Sequence, residues 1–357
     1  METKVYKINK KYIEEYTDVF EETGKIIREG GLVAFPTETV YGLGANAFDE
    51  KAAAKIYGAK DRPSDNPLIV HIFDASQINE VSVNVDQRTK KLMEKFWPGP
   101  LTIILDKADN VPYGTTGGLS TVAVRMPDNE IALELIKKSG VPIAAPSANR
   151  SGRPSPTKAE HVIEDMNGRI DAVIDGGQVN IGIESTIIDM TGEKPMILRP
   201  GYITRDMLEE VIGPVLVDKV VVAKSLSELG GGEYKPKAPG MKYRHYAPKA
   251  ELTMYEGEMQ KVVEKITDMT AEAVKNGKKA GIICTDETIG MYKEGYPVSI
   301  GSRSDGETIA HNLYSVLRDF DSMNVDVIYG ETFYNDKLGQ AIMNRLIKAA
   351  GYRMEKV

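Results

Sequence analysis

The 357-residue chain has a single cysteine, Cys284, so no internal disulfide can form and a fold held by cross-links is excluded. Cys284 ends the apolar run Ala280-Gly281-Ile282-Ile283, which reads as a buried strand and suits core packing better than nucleophilic chemistry. Histidine is equally scarce. His71, His161, His245 and His311 are scattered, with no HxxxH or CxxC spacing, so no protein metal site is expected and any metal should arrive with a phosphate ligand. No apolar run reaches spanning length, and residues 1–11 are polar and basic, so neither secretion nor membrane insertion is expected and the chain reads as cytoplasmic. A basic excess is also missing. Residues 1–215 carry 25 Lys+Arg against 32 Asp+Glu, and the remainder balances 20 against 20, which gives the net charge of −7. Such a surface offers a long polyanion little, and any contact with nucleic acid is expected to be weak or indirect. Lys60, Arg62, Arg125, Arg150, Arg153 and Arg199 punctuate particular segments of the acidic part, an arrangement suited to a small polyanion.

The length allows about two domains. Hydrophobic periodicity predicts helices over 17–29, 51–57, 86–96, 128–139, 157–165 and 204–211. Strands are expected over 32–35, 68–72, 101–105, 121–125, 143–145, 172–175 and 185–190. This is the pattern of an α/β fold, a twisted mixed sheet flanked by helices, over residues 1–215. Residues 216–249 are Gly- and Pro-rich and read as a linker, although Pro239-Gly240-Met241-Lys242-Tyr243-Arg244-His245-Tyr246-Ala247-Pro248 carries more chemistry than a spacer needs. From 250 to 357, strands over 251–255, 280–285, 297–300 and 325–329 alternate with helices over 257–276, 305–322 and 338–350. That alternation predicts a smaller Rossmann-like, doubly wound domain.

The richest segment is Ala145-Pro146-Ser147-Ala148-Asn149-Arg150-Ser151-Gly152-Arg153-Pro154-Ser155-Pro156-Thr157. Short hydroxyl side chains, main-chain N–H groups and arginines suit a phosphate cradle, and the same residues also build ordinary surface turns. Lys60 and Arg62 alternate in what reads as an extended, proline-stiffened segment, which would put both cations on one side. Arg125 sits on a strand that otherwise reads as core, so it needs an anionic partner or an open cleft. Trp97 reads as a turn anchor. Gly42-Leu43-Gly44-Ala45-Asn46-Ala47 fits GxGxxA, but the polar turn before it separates the glycines from the strand, and no GxxxxGK[ST] occurs.

Taken in order, PTETVYGLG (36–44), Lys60-x-Arg62, NPLIVHI (66–72), WPGPLT (97–102), VAVRMP (122–127), Ser147-x-Asn149, ESTIID (184–189) and LRPG (198–201) resemble one family, the threonylcarbamoyl-AMP synthases with a YrdC-like catalytic domain. The linker and small C-terminal domain resemble the family's two-domain branch. The resemblance implies joining of L-threonine, bicarbonate and ATP into threonylcarbamoyl-adenylate with release of pyrophosphate, Mg2+ accompanying ATP. The product then passes to a tRNA threonylcarbamoyltransferase complex that modifies adenosine beside the anticodon. It further implies Lys60, Arg62, Ser147 and Asn149 as catalytic residues. Thr39, His71, Arg125, Ala145 and Ser185 would bind threonine, with His71 the candidate acceptor of the amine proton. Arg62, Asn66, Thr121, Ser147, Ser155, Arg199, Tyr243 and His245 would bind ATP, and Tyr243, Arg244 and His245 would fold over it as a lid. An RNA-binding module and a carbamoyltransferase like that of hydrogenase-maturation proteins are the rival readings; the acidic first domain disfavours one, and the lack of zinc-finger and acylphosphatase segments the other.

Overall fold

The computed structural model describes residues 2–223, 238–239, 245–333 and 338–357. They fall into two units. One takes in residues 2–151, 155–221 and 238–239; the other holds residues 152–154 and the remaining described residues from 222 onward.

The first unit opens with β1 (Lys4–Lys7) and helix α1 (Thr17–Arg28), whose buried residues Phe20, Thr23, Gly24 and Ile27 recur at helical spacing. Then come β2 (Val33–Phe35), β3 (Gly42–Asn46), helix α2 (Glu50–Lys60), β4 (Ile69–His71), β5 (Ser82–Val83) and β6 (Leu101–Lys107). The unit continues through β7 (Thr121–Arg125), β8 (Ile143–Ala145), β9 (Ala172–Asp175), β10 (Thr186–Asp189), β11 (Met196–Arg199) and β12 (Leu216–Val217). Helices Gln87–Phe96, Glu130–Ser139, Ala159–Met166 and Arg205–Ile212 lie where the periodicity places them. The sheet runs β1-β9-β2-β3-β8-β4-β7-β6-β10-β11-β12, with β5 on β6. It is mixed as expected: β4 and β7 are parallel, for example, while β2 and β3 are antiparallel. Apolar clusters form around Leu43, Val70, Leu101 and Val124, and around Phe20, Phe35, Leu135 and Ile143.

Three local differences from the sequence reading have physical causes. The polar turn before Gly42 leads into a strand that the periodicity does not predict, Gly42–Asn46, antiparallel to β2. A Cβ on Gly44 would lie 2.7 Å from Ile143 Cγ2 and 2.8 Å from Phe35 Cε1, so glycine here serves close packing instead of a turn. Lys60 and Arg62 do not alternate along an extended segment. Asp49 caps α2 through the Lys51 N–H, the helix runs on to Lys60, and Asp61 closes it in the left-handed region (φ 54°), donating its N–H to Tyr57 and Gly58 carbonyls. Finally, β1 is a sheet edge, parallel to β9 on one side, and its charged sequence Lys-Val-Tyr-Lys masks it as a strand.

In the second unit β13 (Glu251–Glu256), β14 (Ala280–Cys284), β15 (Tyr296–Ser299), β16 (Val327–Glu331) and β17 (Met354–Lys356) form an all-parallel sheet ordered β15-β14-β16-β13-β17. Helices Met259–Lys275, Gly306–Met323 and Gly339–Ala349 accompany it, giving the doubly wound arrangement expected, with β17 as an unforeseen edge strand. Cys284 is buried in β14, and burial pushes its thiol up to about 12, leaving it protonated and inert as a nucleophile.

Candidate functional site

The sheet register assembles the first cluster. His71 ends β4 directly opposite Arg125, which ends β7, and opposite Ile143 on the other side. Arg125 is buried, and its fork is held by the scaffold: Nε donates to Gly99 O at 3.3 Å and Nη1 to Thr39 Oγ1 at 2.9 Å. Thr39 is itself fixed by Thr37, whose hydroxyl lies 2.8 Å from that of Thr39 and bonds to Val40 O. Ala145 ends β8 opposite Ile69, and two residues beyond the strand Ser147 bridges to Gly42. Thr39 and Arg125 are thus in contact, with His71 in register beside Arg125 and Ala145 one strand away.

A second cluster joins Ser185 and Arg199. Arg199 Nε donates to Ser185 O at 3.0 Å and Nη2 to Ser185 Oγ at 3.1 Å, while Thr102 and Ser185 hydroxyls lie 2.7 Å apart. Gly201 allows this corner to close, since a Cβ there would collide with the Thr186 backbone. Main-chain bonds from Ile181 N to Glu38 O and from Gly182 N to Thr39 O link the segment before Ser185 to the Thr39 turn.

The third cluster is the Lys60 clamp. The buried ammonium at the end of α2 donates to the main-chain carbonyls of Ser147 and Asn149, and Ser147 Oγ donates to Asn149 Oδ1 at 2.6 Å. Ser151 N returns the tie to Lys60 O at 2.8 Å. Arg62 donates to the carbonyls of Asn66 (3.3 Å) and Pro67 (3.1 Å). Ser155 donates to the buried carboxylate of Glu184 at 2.6 Å, in the residue next to Ser185. Thr121 starts β7, at the far end from Arg125, roughly 13 Å along the strand. Of the lid residues, Tyr243 and Arg244 lie outside the described residues. His245 belongs to the second unit, with its ring 5.5 Å from that of Tyr246, which lies 5.2 Å from Tyr314.

Two buried acids, Glu38 and Glu184, go unassigned in the sequence reading. The available signal is an acid flanked by residues that otherwise read as strand end: Thr37-Glu38-Thr39 and Ile183-Glu184-Ser185.

The Nδ1 of His71 sits 3.0 Å from Ile69 O, and burial, reinforced by the Arg125 charge, pushes its pKa down to about 3. A ring this weakly basic is neutral at neutral pH. It serves as a neutral wall beside Arg125. The folded state binds this proton less well than the unfolded chain, so its stability is intact above pH 6.5 and declines as pH falls from 6.5 towards 3. At about 1.4 kcal/mol per pH unit, a shift to pH 5 should cost about 2 kcal/mol. Urea unfolding at pH 7 and pH 5 should show that loss, and His71→Gln should be free of it; equal pH sensitivity in both proteins would count against the neutral ring.

Among the described residues no cluster of His, Cys, Asp or Glu could hold a metal ion, and no helix is long and apolar enough to cross a membrane.

The family described as "Telomere recombination" (Sua5, YciO, YrdC) matches residues 25–201, and the family described as "Threonylcarbamoyl-AMP synthase, C-terminal domain" matches residues 203–351. Threonylcarbamoyl-AMP synthase of Bacillus subtilis is 50% identical over 93% of this chain and 93% of its own length. That of Pyrococcus abyssi is 50% identical over 93% of this chain and 94% of its own. The crystal structure of P. abyssi Sua5 complexed with L-threonine superposes with a TM-score of 0.91 at 47% identity, covering 99% of this chain and 100% of that one. With two family matches in tandem and relatives half identical along nearly the whole length, the chain belongs to the threonylcarbamoyl-AMP synthase family.

Proposed function

We propose that the chain is a nucleotidyltransferase that condenses L-threonine, bicarbonate and ATP into threonylcarbamoyl-AMP, releasing pyrophosphate and water. The observation that carries this reading is Arg125, a buried guanidinium whose fork is aimed by Thr39 and Gly99. Arginine in that setting is suited to a substrate carboxylate. The P. abyssi relative solved with L-threonine supports the same choice.

The threonine amine attacks bicarbonate carbon and water leaves, giving a carbamate; a carbamate oxygen then attacks the α-phosphorus, and pyrophosphate departs. Carbamate and triphosphate are both anionic, so the demand on the protein is charge neutralisation and alignment. Arg62, Asn66, Thr121, Ser147, Ser155 and Arg199, with Lys60 and Asn149 shaping the loop, are assigned to the nucleotide. Thr39, His71, Arg125, Ala145 and Ser185 are assigned to threonine. Magnesium enters as the MgATP substrate, held by phosphate oxygens. Tyr243 and His245 are assigned to closure over the nucleotide. The product, a mixed anhydride, suits acyl transfer to an adenosine amine of tRNA by a separate enzyme complex, with no strong tRNA contact by this chain, and the reading places that work in the cytoplasm.

The test is pyrophosphate release from MgATP and bicarbonate, with L-threonine, with serine and with neither. Threonine-dependent release is expected. Release indifferent to the amino acid, or none, overturns the proposal.

A further inference from the structure

Glu38 precedes Thr39 in the same turn, and its carboxylate is buried beside Arg125, with Oε2 2.6 Å from Nη2. The contact is an ion pair off the line of a hydrogen bond. Both Glu38 oxygens and Arg125 Nη2 are buried without a hydrogen-bonding partner among the described residues. A buried carboxylate normally accepts several N–H bonds, and Glu38 has only the one off-line ion pair, a costly arrangement that calls for a functional cause. The two other Arg125 nitrogens are already committed to Gly99 and Thr39. What remains is one guanidinium nitrogen facing one carboxylate.

We propose that Glu38 recognises the α-ammonium group of the amino acid substrate, so that Arg125 and Glu38 form a two-armed clamp for a zwitterion. An α-amino acid carries its carboxylate and ammonium on one carbon, so it can pair with both groups once they part, the 2.6 Å between Nη2 and Oε2 being too short to admit it otherwise. Entry exchanges one ion pair for two, leaves the net charge of the site unchanged, and supplies N–H donors to oxygens that lack them. The main-chain bond from Ile181 N to Glu38 O holds the residue in place. This inference rests on the reading of L-threonine as substrate.

The experiment measures binding to the full chain of L-threonine, of L-threoninol, which lacks the carboxylate, and of 2,3-dihydroxybutanoate, which has a hydroxyl for the ammonium. The unaltered chain is expected to bind L-threonine at least about tenfold more tightly than either analogue. In Glu38→Gln, threonine affinity should fall roughly 10- to 100-fold, the scale of a lost charged hydrogen bond. Dihydroxybutanoate should bind as before or better, and Glu38→Asp should recover part of the loss. KM for threonine should rise by the same factor, with KM for ATP little changed. Threonine binding in Glu38→Gln equal to or tighter than in the unaltered chain overturns the clamp. So does equal binding of threonine and dihydroxybutanoate by the unaltered chain, a comparison that decides the matter even where the variant does not fold. Threonine binding without any adenylate formation overturns the synthase reading alone; no threonine binding overturns both.

Discussion

Arg125→Met should reduce threonine-dependent pyrophosphate release by roughly 10- to 10²-fold, the equivalent of one lost bond to a charged group at about 1.5–3 kcal/mol. It should also lower stability by about 3–5 kcal/mol, because Glu38 is left as an uncompensated buried charge. The two effects separate in a pair of variants. Arg125→Lys keeps the charge but loses the planar fork that serves Gly99 and Thr39, so stability should recover more than activity. Glu38→Gln combined with Arg125→Met removes both charges and should restore much of the stability and none of the activity. Urea midpoints beside initial rates would check each expectation; an active Arg125→Met enzyme would remove Arg125 from substrate recognition.

Lys60→Met is the second large effect. The Lys60 ammonium holds the carbonyls of Ser147 and Asn149, so its removal leaves one buried and one part-buried acceptor short of a charged donor and frees the loop they belong to. Two such bonds amount to about 3–6 kcal/mol, or roughly 10²- to 10⁴-fold in kcat/KM for ATP. Threonine binding should change much less, because the Arg125 cluster rests on β4, β7 and the Thr39 turn. Separate titrations with threonine and with a nonhydrolysable ATP analogue would test this. Equal losses for both ligands would mean that the clamp supports the whole site and not the nucleotide side.

The elements were largely legible because their signals are local. The burial rhythm of Phe20, Thr23 and Ile27 marks α1, and the unbroken Ile-Ile-Cys run marks β14. Arg125 stands out as a charge on a core strand. Lys60 stood out as a cation, but its place at a helix end did not. Its neighbours Asp61, Arg62 and Pro63 suggest extended chain, and only the left-handed Asp61 shows that the helix ends there. Glu38 was equally hidden, since an acid between two threonines is the ordinary composition of an exposed turn. Its burial is created by Arg125, 87 positions further along the chain, and no local pattern carries that information.

The eleven residues of α2 also act as a ruler. Asp49 fixes where the helix begins, and the turn count fixes where the Lys60 side chain points. Adding or deleting one residue between them would swing that side chain by about 100° and shift it by about 1.5 Å. The segment can therefore vary freely in the identity of its outward-facing residues while its length is set to the residue, and homologous chains should keep the spacing between cap and lysine even where little else in the helix is shared.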